Sequence, residues 1–239
     1  MPEEIFRFKQ FNVNQAGATL KVCTDSCLFG AWIAQYYKDL KVLDIGTGTG
    51  LLALMYAQNN PESHILALEI DTESAALSKN NFMQSPWAQR LESKCISLQD
   101  FVKEYKDSSF DLLFCNPPFF ENQLPSKKQQ NNVAKHSACL NKAELIFSFT
   151  QLLSENGTAV VLLPPYEAKS FTEMAQEASF YLKENVTIRN KNGQAAFRQI
   201  LCFGKKECTV IFLELTIYQY DKNYSPEFKA LLKDYYLAL

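Results

Sequence analysis

Val42-Leu43-Asp44-Ile45-Gly46-Thr47-Gly48-Thr49-Gly50 decides the fold. Val42 to Ile45 reads as a short buried strand, the three alternating glycines as a turn, and the apolar run Leu51 to Gln58 as a helix. Glycines at such a turn let a ligand approach the backbone where side chains would block it. A dinucleotide fingerprint needs glycine at position 51, where Leu51 stands, and no phosphate-binding loop ending in Lys-Ser or Lys-Thr follows. Phosphate cradling is therefore disfavoured.

Outward from this unit, Ile65 to Ile70 reads as a second strand that ends in Glu69 and is followed by Asp71, with a helix over 72–83. An acidic side chain roughly twenty residues beyond a glycine loop can accept both hydroxyls of a ribose, so Glu69 points to an adenosine-containing cofactor. Leu91 to Ile96 reads as a third strand, and Ser97 or Asp100 beyond it is expected to face the adenine. The fourth strand is Phe110 to Cys115, stopped by Asn116-Pro117-Pro118 and followed by Phe119 and Phe120. Each proline biases its predecessor to extended backbone, so Asn116 and Pro117 are held stiffly at the strand's carboxyl end. In an open α/β sheet, that edge binds ligands. A side-chain carbonyl on Asn116, a backbone carbonyl on Pro117 and a flat face on Phe119 describe a pocket for an aromatic amine.

The rest of the chain frames this core. Residues 5–22 suggest an extended arm or hairpin, followed by a helix capped at Thr24 or Asp25 and running to about Tyr37. The polar stretch 121–135 is too long for an ordinary connection and carries Lys127, Lys128 and Lys135, which suggests substrate contact. A helix over 142–153, a strand over 158–163 and a helix from Pro164-Pro165 to about Leu182 are expected. The runs 196–203 and 208–220, joined by Gly204-Lys205-Lys206-Glu207, signal a hairpin, and a helix over 226–237 closes the chain. Residues 1–40 read as an arm and helix packed on a domain formed by 41–239, one structural unit in all.

Composition narrows the function. A chain of 239 residues can bury a substantial core, and it shows no apolar leader and no apolar run long enough to span a bilayer, so a cytoplasmic protein is expected. Its seven cysteines include no CxxC pair, and His64 and His136 lie near no Cys/Asp cluster, so free thiols and no metal are expected. With a net charge of −2, a nucleic-acid substrate must be held by a local basic patch.

Several motifs carry a resemblance. GxGxG preceded by Asp44 is similar to the first motif of class I methyltransferases, and Asn-Pro-Pro-aromatic resembles the catalytic motif of amino-methyltransferases that use S-adenosylmethionine. Phe8-Lys9-Gln10-Phe11, Lys21-Val22-Cys23-Thr24-Asp25, Leu28 to Trp32, Leu43 to Met55, Gln84-Ser85-Pro86-Trp87 and Asn223-Tyr224-Ser225 with a Tyr-Leu ending resemble the bacterial tRNA(Val) adenine-N6 methyltransferases over nearly the whole chain. The resemblance implies an α/β Rossmann-like fold, with a seven-stranded, mostly parallel sheet, one antiparallel strand and helices on both faces. It implies methylation of the exocyclic amine of adenine 37, beside the anticodon; a monomer is expected, though the sequence itself leaves the oligomeric state open. Catalysis would fall to Asn116, Pro117, Pro118 and Phe119. The cofactor would be held by Lys21, Thr24, Asp25, Asp44, Gly46, Thr47, Gly48, Gly50, Glu69, Ile70, Ser97, Asp100 and Asn116. The family often has tyrosine at Phe119 and an acidic residue at Ser97, for which Asp100 is the nearest substitute. Phosphates would meet Lys127, Lys128, Lys135, Arg189, Lys191, Arg198, Lys205 and Lys206, chosen for their predicted loops. Asn-Pro-Pro-aromatic also serves enzymes that act on a release-factor glutamine, ribosomal guanine or DNA adenine. A non-catalytic RNA-binding module would be expected to have degraded motifs, and both are intact here.

Overall fold

The computed structural model describes residues 4–38, 40–105, 109–117, 140–220 and 223–239. A small antiparallel hairpin, β1 (Ile5–Arg7) and β2 (Asn12–Asn14), precedes helix α1 (Thr24–Tyr36). Then come β3 (Lys41–Ile45), α2 (Leu51–Asn59), β4 (His64–Glu69), α3 (Thr72–Met83), β5 (Leu91–Cys95), α4 (Leu98–Glu104) and β6 (Phe110–Cys115). After the undescribed stretch follow α5 (Lys142–Leu152), β7 (Leu153–Leu163), α6 (Pro165–Glu177), β8 (Tyr181–Lys191), β9 (Ala196–Gly204), β10 (Ile211–Tyr218) and α7 (Pro226–Leu232).

One sheet runs β10-β8-β9-β7-β6-β3-β4-β5. β9 is antiparallel to both neighbours, and the other pairings are parallel. The inner strands β3 and β6 and the 159–163 half of β7 read as nearly continuous apolar runs because helices cover both faces. One core layer gathers α1, α2 and α7 with the hairpin, the other α4, α5 and α6. Arg90 fixes the end of α2 by donating to the carbonyls of Ala57, Asn60 and Ser63 at 2.9–3.1 Å, satisfying acceptors that a helix C-terminus leaves open.

The structure departs from the sequence reading in its last third. The helix expected to reach Leu182 stops at Glu177, where Ser179 takes a left-handed turn (φ 55) and Phe180 N–H closes back on Ala175 O at 2.9 Å. Tyr181–Lys191 is a strand instead, with Val186 and Ile188 inward. Its hairpin partner is β9, through the Gly193 turn (φ 77). The expected pairing of 196–203 with 208–220 does not form: β10 lies parallel to β8 at the outer edge. Among the described residues the sheet therefore has eight strands, with β9 alone reversed, where seven were expected. The closing helix is also shorter, ending at Leu232, and Tyr235 beyond it is buried, donating to Met55 O at 2.9 Å.

Candidate active site

The connections on the two sides of β3 diverge, with β4 on one flank and β6 on the other, which makes the carboxyl ends of β3 and β6 the switch point of the sheet. In the β3–β6 register Ile45 lies opposite Cys115, so Gly46 and Asn116 leave adjacent strand ends about 4.8 Å apart in the pairing direction. Asn116 is half-buried and Pro117 buried. Pro118, Phe119, Lys127, Lys128 and Lys135 lie outside the described residues.

The glycine turn is tied down on every side but one. Gly46 and Thr47 N–H donate to Leu68 O at 2.9 and 3.0 Å, and Gly50 N–H donates to Thr47 O at 2.9 Å. Gly46 (φ 70), Gly48 (φ 56) and Gly50 (φ 82) all take the left-handed backbone that favours glycine. A Cβ on Gly46 or Gly48 would meet nothing within 4 Å, whereas one on Gly50 would lie 2.5 Å from Phe82 Cε1. The first two glycines face open space and the third packs against α3. This is the cradle expected of a loop that admits a ligand against its backbone.

Two carboxylates frame the turn. Glu69, half-buried at the end of β4, accepts from Gly48 N–H at 2.9 Å and Asp71 N–H at 3.0 Å. Asp44 is fully buried: Oδ2 accepts from the Thr47 hydroxyl at 2.6 Å, and Oδ1 has no hydrogen-bond partner. Burial pushes its carboxyl up to about 7, aided by the negative charge of Glu69 and opposed by the Thr47 hydroxyl and the Ala53 backbone N–H. Ile70, next to Glu69, is 49% exposed. Ser97 caps α4 by accepting from Asp100 N–H, and its hydroxyl donates to Asp100 Oδ2 at 2.7 Å. The exposed Asp100 is held below the usual carboxylate range by Lys103 and Ser97.

Helix α1 begins at this same edge, because Asp25 pairs with Arg198 (Oδ2 to Nε, 2.9 Å) and Arg198 stands at the start of the reversed β9. Asp25 Oδ1 also accepts from Ser26 N–H and from the Cys23 thiol. Thr24 is half-buried and Lys21 exposed. The basic residues chosen from the sequence do not gather in one place. Arg189 and Lys191, at the end of β8, share the carboxyl edge with Arg198, and Arg189 is paired with Glu214 at 3.1 Å. Lys205 and Lys206 follow Gly204, which pairs with Tyr181 at the start of β8, and Lys206 donates to Asn156 at 2.7 Å. Nine residues of β9, about 30 Å of extended chain, separate that edge from the first. His64 opens β4, also at the edge away from Asn116. Among the described residues no group of His, Cys, Asp or Glu is placed to hold a metal ion, and no helix is long and apolar enough to cross a membrane.

The motifs at the chain's ends are structural. Phe8 stacks on Phe11 (4.5 Å), Phe11 meets Trp87 edge-on (5.5 Å), and Phe8 contacts Tyr236 (6.2 Å). Lys9 N–H and its ammonium donate to Tyr235 O and Lys233 O. The two termini and the turn after α3 thus close into one aromatic cluster.

The family model of the methyltransferase small domain matches residues 26–157, and the chain belongs to that class. Solved structures agree in fold: a predicted O-methyltransferase from Agrobacterium tumefaciens superposes with TM-score 0.70 over 87% of this chain and 95% of that one at 15% identity. A Pyrococcus furiosus methyltransferase gives TM-score 0.54 over 80% and 90% at 18% identity. Within the class, the chain belongs to the family of the tRNA1(Val) (adenine(37)-N6)-methyltransferases. It is 38% identical to the Dyadobacter fermentans member over 97% of both chains, and 36% identical to that of Bacteroides thetaiotaomicron over 100% of both. It is an enzyme that depends on S-adenosylmethionine.

Proposed function

We propose that the chain methylates N6 of adenine 37 in a valine tRNA, acting as a cytoplasmic monomer on the anticodon stem-loop. The observation that carries this reading is the emergence of Asn116-Pro117 beside the open face of the Gly46–Gly48 turn, in a chain whose relatives bear that activity in their name.

The residues suit S-adenosylmethionine. Gly46 and Gly48 leave a bare backbone for its amino-acid portion, Thr47 and Gly50 complete the turn that presents them, and Lys21, Thr24, Asp25 and the buried Asp44 stand at the same edge. Glu69 would accept from its ribose, Ile70 would cover the adenine, and Ser97 or Asp100 would meet the adenine rim. When bound, it supplies an electrophilic methyl group. An adenine amine is a poor nucleophile because its lone pair is delocalised into the ring. The Asn116 side-chain oxygen and the Pro117 carbonyl would accept its two N–H bonds, turn the lone pair out of conjugation and aim it. Such positioning by fixed dipoles needs no general base. The methylated amine is acidic and can lose its proton to water.

Phe119 would stack on the extruded base, which costs at most a few kcal/mol in an unpaired loop. Lys127, Lys128, Lys135 and Lys191 would meet phosphates. Arg189 and Arg198, already paired with carboxylates, would act mainly by shaping the edge, while Lys205 and Lys206 stand too far away.

The test is methyl transfer from labelled cofactor to total tRNA, DNA, ribosomal RNA and release factor in parallel, followed by mapping of the modified nucleotide. Label at N6 of adenine 37 in valine tRNA is expected, and none on the same tRNA with guanine at 37. Label in protein or DNA would overturn the reading.

A further inference from the structure

Asn81, on α3 and only 2% exposed, belongs to no motif, yet it makes three hydrogen bonds that join separate parts of the chain. Its amide nitrogen donates to Thr49 O at 2.8 Å, in the middle of the glycine turn, and to Asn14 O at 2.9 Å. Its oxygen accepts from Asn14 N–H at 3.0 Å, so the whole amide is spent on backbone groups. The Thr49–Gly50 peptide is thereby held from both sides, its carbonyl by Asn81 and its N–H by Thr47 O. The next residue of α3, Phe82, packs on Gly50. The Asn14 side chain itself is turned to its own strand end, accepting from Ala16 N–H at 3.0 Å.

We propose that Asn81 is a positioning residue for the cofactor: it sets the Thr49 carbonyl, keeps the open face of the turn in its ligand-accepting shape, and makes the amino-terminal hairpin part of the cofactor site. An unbraced turn has more conformations to lose on binding, so the loss appears in cofactor affinity and leaves tRNA affinity alone. The inference rests on the cofactor lying over Gly46 and Gly48.

The experiment compares purified full-length wild type with Asn81→Ala, Asn81→Asp, Ser78→Ala and Gly48→Ala. It measures calorimetric affinity for S-adenosylmethionine, KM for each substrate, kcat, and melting temperature. Asn81→Asp keeps the acceptor for Asn14 N–H and loses both donations, so it serves even if Asn81→Ala fails to fold. Ser78 is buried on the same helix and bonds Ala75 O and Ser93, so Ser78→Ala reports the loss of a buried bond that does not touch the turn. The expected result is about tenfold weaker cofactor binding for the Asn81 variants, the size of one lost buried hydrogen bond, with unchanged KM for tRNA and kcat within threefold at saturation. Ser78→Ala should lower the melting temperature alone. Asn81 variants that melt lower but bind cofactor like wild type, while Gly48→Ala binds weakly, would overturn the bracing role. Normal binding by Gly48→Ala would instead remove the cofactor seat itself.

Discussion

Gly50 and Gly48 share a left-handed backbone but differ in surroundings, which turns one loop into two separable experiments. Gly50→Ala places a methyl 2.5 Å from Cε1 and 3.1 Å from Cζ of Phe82, a ring only 2% exposed. Left-handed backbone costs alanine about 1–2 kcal/mol, and overpacking a filled core costs about 1–3 kcal/mol, so the sum is roughly 2–5 kcal/mol. Gly48→Ala meets nothing within 4 Å and incurs only the backbone cost of about 1–2 kcal/mol, but its methyl fills the open face. Urea unfolding without cofactor, with calorimetric binding of S-adenosylmethionine, separates the two. The larger midpoint shift should belong to Gly50→Ala, and Phe82→Leu in that background should recover part of it. Gly48→Ala should lose only about 1–2 kcal/mol of stability to backbone strain and bind cofactor at least tenfold more weakly. Equal destabilisation of the two, or no recovery from Phe82→Leu, would refute the assignment of packing to one glycine and ligand approach to the other.

Further expectations follow from the same geometry. The folded-state Asp44 carboxyl titrates near 7, above its unfolded value near 4, so between those limits the folded state holds the extra proton and stability falls as pH rises, by up to about 1.4 kcal/mol per pH unit. Asp44→Asn should flatten the urea midpoint of cofactor-free protein between pH 4 and 7, and an unchanged slope would contradict the burial argument. Lys191→Ala should lower the salt slope of tRNA binding by about one, whereas Lys205→Ala and Lys206→Ala should leave it unchanged; a reduced slope for either of the latter would put RNA at the far edge. Arg90→Ala uncovers three carbonyls around the end of α2 and should cost about 2–3 kcal/mol without changing kcat, as chemical denaturation and steady-state rates would test.

The first half of the chain was legible because each element is punctuated. β3, β4 and β6 are apolar runs closed by glycine, an acidic turn or proline, and parallel strands buried on both faces leave such runs. β8 was hidden by Lys183, Glu184, Arg189 and Lys191 around a short Val-Thr-Ile centre, and by a reversal at Ser179, a residue that seldom takes left-handed backbone. Missing it misassigned the partner of β9, and with that partner went the location of Lys205 and Lys206. Register inside a sheet depends on which faces the helices cover, and a local pattern does not carry that. Asp44, Glu69 and the glycines stood at motif positions, while Asn81 did not: a polar residue in a helix reads as solvent-facing until the fold brings a carbonyl to it.

The central claim, that two oxygens at the end of β6 orient the amine, is tested most directly by Asn116→Ala in single-turnover methyl transfer to valine tRNA. Removing one preorganised polar group should slow transfer on the order of 10²–10³-fold, with S-adenosylmethionine affinity within about threefold of wild type. Transfer within tenfold of wild type would contradict the claim.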